Sequence, residues 1–447
     1  MQTSFSIAQL ADPNIEEADA ILRRCVHCGF CLATCPTYLE LGNELDSPRG
    51  RIYLIKDMLE NDKPASAEVA LHIDRCLSCL SCVTTCPSGV DYMHLIDQAR
   101  VRIEKTYKRP WQDRFVRELL SRTLPYRGRF RAALVLARLG RPFYKFLQGL
   151  GLTGQRLAAM LLLAPTQGSF GARAAPAPGA RPVVPGSMAQ ARVALLSGCA
   201  QSVLDPGIND AAIRLLNRFG VDVVLPKGEG CCGAIVHHMG RERQGLALAR
   251  NNIDVWMREI DGAGLAAILV TASGCGTAIK DYGHNFRLEP AYAEKAAKIS
   301  ALALDITEFL ARLELPRVER ASGLAVAYHS ACSMQHGQRI TVLPKILLEK
   351  AGFTVRDIPE GHICCGSAGT YNILQPEIAT RLRDRKVANI EKAAPDLIAT
   401  GNIGCMTQIG TATAIPIVHT VELLDWAYGG PRPAALDWPD ERLSAAE

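Results

Sequence analysis

Cys25, Cys28, Cys31 and Cys35 lead into Pro36 in a C-x2-C-x2-C-x3-C-P run, and Cys76, Cys79, Cys82, Cys86 and Pro87 repeat it position for position 51 residues later. No other feature of this 447-residue chain restricts its fold so tightly. Three thiolates so close in sequence can wrap one face of an iron–sulfur cubane. The fourth, followed by a proline that cannot continue the local hydrogen bonding, reaches the other cluster. The spacing predicts two [4Fe–4S] clusters, one on Cys25, Cys28, Cys31 and Cys86 and one on Cys76, Cys79, Cys82 and Cys35. Structural zinc also uses C-x2-C pairs, but it does not require this run twice.

Between and after the runs the chain reads as helical. Ser47 and Pro48 are a cap and a first-turn proline for a helix over Arg49–Glu60, with Ile52, Ile55 and Leu59 on one face. Further helices are expected over Pro64–Asp74 and Val90–Lys105. Residues 1–106 are therefore an α-helical two-cluster ferredoxin-type domain. Arg49 and Arg51 are expected on a solvated helix face, the alternative being to tune cluster potential or dock a partner through charge, and His27 as a hydrogen-bonded or exposed ring rather than a fifth ligand.

The remaining eight of the sixteen cysteines lie between Cys199 and Cys405. The N-terminus has no basic region leading into an apolar stretch, so no secretory signal is expected, and Arg23-Arg24 running straight into Cys25 argues against a twin-arginine signal. Apolar runs such as Leu157–Pro165 are far short of the ~18–20 residues that span a bilayer. A cytosolic setting, or attachment to a membrane from the cytosolic side, makes the thiols metal ligands or redox groups rather than structural disulfides.

With 50 basic and 45 acidic residues the chain is nearly balanced, but the balance hides a segment. From Arg100 to Arg156 fifteen Lys or Arg face only Glu104, Asp113 and Glu118, a net +12 set against −7 for the remainder. Trp111, Phe115, Phe130, Leu134, Phe143 and Phe146 interleave with the charges. Residues 107–163 thus read as a basic amphipathic helical segment, suited to an anionic membrane surface or to a partner subunit. Without an accompanying motif, nucleic acid is not a partner. The prolines and alanines of 164–190 read as an extended linker.

Beyond it the pattern alternates between strand and helix, and it does so twice. Strands are expected over Ala191–Ser197, Val221–Leu225 and Ala266–Thr271, and again over Leu324–Tyr328, Phe353–Ile358 and Asp396–Thr400. Helices intervene over Asn209–Phe219 and Leu246–Ile260, then Val342–Ala351 and Pro376–Lys392. Cys199, Cys231 and Cys232 become Cys332, Cys364 and Cys365 at a constant offset of 133, while Cys275 maps near Cys405 with a three-residue slip. The fold class is a helical ferredoxin-type domain followed by a duplicated α/β domain of parallel-sheet character, with modules over 191–320 and 321–430 and a tail over 431–447. Each cysteine falls at or just beyond the carboxyl end of an expected strand, where open α/β sheets place their sites. Four thiols per module suffice for one further iron–sulfur cluster or a dithiol redox site; the plain alternative is small buried residues in tight turns.

Two ferredoxin-type runs followed by two Cys-Cys-Gly modules resemble the iron–sulfur subunits of the heterodisulfide reductase, anaerobic glycerol-3-phosphate dehydrogenase and glycolate oxidase group. The stretches Cys25–Cys31, Leu45–Lys56 and Thr85–Val90 resemble the glycolate oxidase branch in particular. The resemblance implies electron transfer from a separate flavin subunit, oxidising glycolate to glyoxylate or D-lactate to pyruvate, toward membrane quinone at the cytoplasmic face of the inner membrane. It implies no substrate oxidation by the chain alone. Consistent with that division, no G-x-G-x-x-G follows a strand and no P-loop is present, so no flavin or nucleotide site is expected here. His237, His238, His329 and His336, near the Cys-Cys-Gly modules, are candidates to assist proton-coupled transfer or turn residues. Alternative readings are a D-lactate or glycerol-3-phosphate dehydrogenase subunit, or a thiol–disulfide reductase of heterodisulfide type. Against the last, the reductase modules end in C-x2-C, whereas here Ala278 follows Cys275 and Gln408 follows Cys405 at that interval.

Overall fold

In a computed structural model the chain is described over residues 1–164, 191–313, 315–318 and 323–436. All of the expected linker except Ala164, and the tail from 437, lie outside the described residues. The N-terminal part is helical. Pro13–Arg24, Pro48–Glu60, Ala67–Asp74 and Tyr92–Thr106 pack Leu22, Ile55, Ile73, Leu95, Ile96 and Ile103 into a core closed to solvent. Ser47 caps the second of these by accepting from the Gly50 amide at 3.0 Å. The helix expected from Pro64 begins instead at Ala67, because the Ser66 hydroxyl takes the Val69 amide that a helix start leaves unpaired. In the same way, Asp91 delays the helix expected from Val90 to Tyr92.

The basic segment forms helices Trp111–Thr123, Arg127–Gly140, Tyr144–Gln148 and Gly151–Leu163. Part of its charge is turned inward. Arg109, Arg117 and Arg156 are buried: Arg109 and Arg117 grip Asp74 of the ferredoxin part at 2.5 and 2.8 Å, and Arg156 holds Asp113 at 2.7 Å. Burial alone would raise the Asp74 carboxyl, but the two guanidiniums hold it below its ordinary value. Outward the segment presents apolar Leu136, Leu139, Phe143 and Phe146, each 64–71% exposed, together with exposed Arg114, Arg122, Arg129, Arg131 and Lys145.

The C-terminal part holds two parallel four-stranded sheets. Arg192–Leu195 (β1), Asp222–Val224 (β2), Ala267–Val270 (β3) and Ala303–Asp305 (β4) stand in the order β2-β1-β3-β4. Ala325–Tyr328 (β5), Thr354–Arg356 (β6), Leu397–Thr400 (β7) and Ile417–His419 (β8) repeat it as β6-β5-β7-β8. The short fourth strands, β4 and β8, were not anticipated from the sequence. Each runs straight into a capped helix, with Asp305 and Glu308 or His419 and Glu422 forming a capping box. The Asp305-x-x-Glu308 spacing was the available signal. One core spans both repeats, joining Leu195, Leu215 and Leu269 to Val326, Leu397 and Leu424. Buried Asp425 adds an ionic tie, taking Arg214 at 2.7 Å and Arg218 at 3.0 Å.

The helical and sheet parts meet at a histidine. His94 Nδ1 bonds Asp91 at 2.6 Å and Nε2 bonds Asp281 at 3.0 Å, while its ring stacks on His284, 3.5 Å between centroids. Burial favours the neutral ring, but the two hydrogen-bonded carboxylates prevail and raise its pKa to about 10. Because the folded value lies above the unfolded one of 6.5, this stabilisation is complete below that pH and is lost as pH rises through about 10. The urea midpoint of wild type should therefore exceed that of His94→Asn most near pH 6, with the gap narrowing steadily toward pH 10. A gap independent of pH would show that His94 is neutral in the fold.

Candidate iron–sulfur and thiol centres

The short spacing inside each run curls the chain into a loop with positive φ angles at His27, Gly29, Ser78 and Leu80, and in the second run the Ser78 amide donates to Cys76 Sγ at 3.4 Å. Cys25, Cys28, Cys31 and Cys86 line one small pocket, which Cys82 of the second expected set lines as well. Cys79 and Cys82 neighbour Cys76 and Cys35. Burial pushes the Cys79 and Cys82 thiols well up and Cys31 to about 11. Buried thiols that resist ionisation fit a site in which a metal cluster supplies the positive charge. Two sets of four thiols meet the donor requirement of two cubanes. His27 is half-buried with its ring 4.7 Å from that of Tyr53.

Arg51 departs from the expected solvated face. It is 1% exposed, because the helix it sits on turns that side toward the second thiol set. Its Nε donates to the His72 carbonyl at 2.7 Å, one Nη to the Thr37 hydroxyl at 3.0 Å, and the other lies 3.9 Å from Cys35 Sγ. Asp46, fully buried, faces Arg51 at 3.6 Å, Arg75 at 2.9 Å and His72 at 2.9 Å. Burial opposes the guanidinium charge, yet Cys76, Tyr92, Cys35 and Asp46 together raise its pKa. Arg49 does lie partly open, paired to Glu44 at 2.8 Å.

In each sheet the order reverses between the first and third strands, opening a crevice at their carboxyl ends. Cys199 and Cys275 follow β1 and β3; Cys332 and Cys405 follow β5 and β7; the vicinal pairs follow β2 and β6. Gly233 and Gly366, after those pairs, have φ of +89° and +85°, and a Cβ on either would stand 2.6 or 2.5 Å from the carbonyl oxygen of Gly245 or Ala379. The pairs are thereby turned into the crevice. Cys231 contacts Cys199 and Cys232, which in turn contacts Cys275. Cys364 contacts Cys332 and Cys365, which in turn contacts Cys405.

Of the four histidines, His237 and His238 face Asp97 at 3.5 and 3.6 Å, and His336 bonds Thr84 at 2.7 Å. His329 alone lies among thiols, beside Cys365 and Cys405. Sequence reasoning missed Lys386, 1% exposed and facing Cys332, Cys364 and Cys365. Burial lowers its pKa against the opposing pull of those thiols. Its signal was a cation in the apolar stripe of Ile378, Leu382 and Ile390.

Thiols from all three parts of the chain line one cavity of about 670 Å³. Cys76 and Cys79 line it from the ferredoxin part, Cys199, Cys232 and Cys275 from one module, and Cys332, Cys364, Cys365 and Cys405 from the other. Leu120, Phe130, Leu134, Leu136, Phe143 and Leu161 of the basic segment roof it with hydrocarbon. Among the described residues no helix is long and apolar enough to cross a membrane.

A helical domain with two four-thiol sets, joined to a duplicated cysteine-rich α/β domain, defines an iron–sulfur electron-transfer subunit of an oxidoreductase. Comparison with known proteins agrees: residues 21–90 match the 4Fe-4S dicluster domain, and 193–280 and 326–410 each match the cysteine-rich domain. The chain is 41% identical over 427 residues to the glycolate oxidase iron-sulfur subunit of Escherichia coli K12, covering 96% of this chain and 99% of that one. It is 31% identical to the probable glycolate oxidase iron-sulfur subunit of Bacillus subtilis 168, with the same coverage. The chain belongs to the family of glycolate oxidase iron–sulfur subunits. Lactate utilization protein A of Bacillus licheniformis is 29% identical over 242 residues, 52% of this chain and 99% of that one.

Proposed function

We propose that this chain carries electrons from a separate flavin subunit, which oxidises glycolate to glyoxylate or D-lactate to pyruvate, to a membrane quinone, and that it oxidises no substrate alone. The observation that carries the reading is the course of the thiol sets between two unlike surfaces. At one end the Cys25–Cys31 loop is open to solvent, with Val26 and Phe30 66% and 62% exposed, and offers a partner an apolar contact beside the first set. At the other end Cys76 and Cys79 line the cavity. We assign one [4Fe–4S] cluster to Cys25, Cys28, Cys31 and Cys86 and a second to Cys76, Cys79, Cys82 and Cys35. Bound there, they supply one-electron steps between two-electron partners. Cys199, Cys231, Cys232 and Cys275 are the candidates for one further cluster.

The cavity has the volume of a small-molecule site, and its hydrocarbon roof suits a quinone with an isoprenoid tail. Leu136 and Phe143 both line it and face outward, so the opening coincides with the exposed apolar patch. Exposed Arg131 and Lys145 lie on the same helices as that patch, a composition suited to peripheral attachment at the anionic cytoplasmic face of the inner membrane.

In the assembled complex under anaerobic conditions, glycolate should reduce the clusters, seen by electron paramagnetic resonance, only when the flavin partner is present. Vesicles containing anionic phospholipid should retain the complex, and the double variant Leu139→Glu, Phe146→Glu should lose at least about tenfold of that retention while keeping glycolate-driven reduction. Unchanged retention would remove the bilayer from the proposal. Turnover of disulfides by the isolated chain with reduced viologen would instead establish a thiol–disulfide reductase.

A further inference from the structure

The two cysteine-rich modules are not chemically equivalent. Leu196 follows β1 and His329 follows β5 at the repeat offset, and their amides make the same bond, to the carbonyl oxygen of Leu269 at 2.9 Å and of Ala399 at 2.8 Å. At one backbone position, then, the first module has an alkyl group and the second an imidazole. His329 is 1% exposed, and its Nε2 is buried with no hydrogen-bond partner. Leaving a buried polar nitrogen unpaired costs free energy, so such a group signals a missing partner.

The surroundings indicate which partner. Ligand atoms of His329, Cys365 and Cys405 all lie within 4.8 Å of one another. Among the described residues only one other group of His, Cys, Asp or Glu is so compact, Glu17 with His94 and His284. There His94 already gives both nitrogens to carboxylates, which excludes it as a ligand. No three of the eight ferredoxin-type thiols are gathered so closely. A cubane places each ligand on its own iron and so spreads its thiols, whereas two thiolates on one tetrahedral ion stand about 3.8 Å apart at a metal–sulfur distance of ~2.3 Å. Asn402 Nδ2, 3.4 Å from Cys405 Sγ, orients that sulfur from outside, as outer partners of metal ligands do.

We propose that the second module binds one zinc-class divalent ion through His329, Cys365 and Cys405, leaving the fourth position to an exogenous donor. A mixed nitrogen and sulfur donor set selects a borderline-soft ion of tetrahedral preference. The first module, with Leu196 in place of the imidazole, lacks this site. The inference stands independently of the electron acceptor and of the substrate oxidised.

Full-length protein, purified anaerobically and washed with chelator, should hold about one zinc per chain by elemental mass spectrometry. Its zinc-edge X-ray absorption should show nitrogen at about 2.0–2.1 Å together with sulfur at about 2.3 Å. His329→Leu, which installs the first module's residue, should reduce zinc at least about tenfold and leave iron per chain unchanged. Should that variant fold poorly, Cys405→Ala in the same assays and the wild-type absorption spectrum each decide the matter. Zinc removed by chelator from wild type, an all-sulfur zinc shell, or loss of iron rather than zinc on changing His329 would each overturn the proposal, the last by assigning His329 to a cluster.

Discussion

Changing Arg51 to leucine is expected to destabilise the fold by about 3–5 kcal/mol, the cost of removing one partner from a buried ionic group. The magnitude follows from what is left behind. Asp46 is fully buried and keeps Arg75 and His72, but the Thr37 hydroxyl and the His72 carbonyl lose a donor that no water can replace. A second, separable effect is electrostatic. With Arg51 the cationic group 3.9 Å from Cys35 Sγ also disappears, so the cluster assigned to Cys76, Cys79, Cys82 and Cys35 should become harder to reduce. Arg51→Lys keeps the charge without the fork and should fall between the two. Urea unfolding measures the first effect and a redox titration followed by electron paramagnetic resonance the second. A variant of wild-type stability and potential would show that Arg51 only fills space.

Cys76→Ser should remove one cluster, seen as a fall in iron from about eight to about four per chain if the cysteine-rich part holds none. Cys25→Ser should remove as much iron, yet the two variants should differ in what survives. Cys76 lies on the cavity and packs against Tyr92, whose hydroxyl is 3.9 Å from its sulfur; Cys25 lies beside the exposed loop. After Cys76→Ser, glycolate should still reduce the remaining cluster while quinone reduction stops. After Cys25→Ser, reduction by the flavin partner should itself fail. Identical loss of every step in both variants would argue against an ordered path from loop to cavity.

The element pattern was legible where one residue made a local decision. Ser47, Pro48 and the apolar spacing of Ile52, Ile55 and Leu59 defined a helix, and four-residue runs such as Ala267–Val270 defined buried strands. The three-residue strands Ala303–Asp305 and Ile417–His419 were too short to show a period and were completed by pairing with β3 and β7. Charge was the poorest guide. Arg51 read as solvated, Arg109 and Arg117 as charges of an amphipathic surface segment, and Lys386 was missed, because sequence lists a cation without its burial, and only the opposing Asp46, Asp74, Asp113 and thiol groups make that burial affordable.

By itself the sequence determined the two ferredoxin-type runs and the 133-residue repeat, since both are written in intervals along one chain and a loop of fixed length brings its own thiols together. Only the tertiary structure decided what those groups face. It set Cys79 beside Cys332, roofed the thiols with helices from 111–164, and left the His329 ring among Cys365 and Cys405 while Leu196 fills the same place in the other repeat. Such juxtapositions arise from packing segments a hundred or more residues apart, and packing depends on the shape of every neighbour rather than on spacing along the chain.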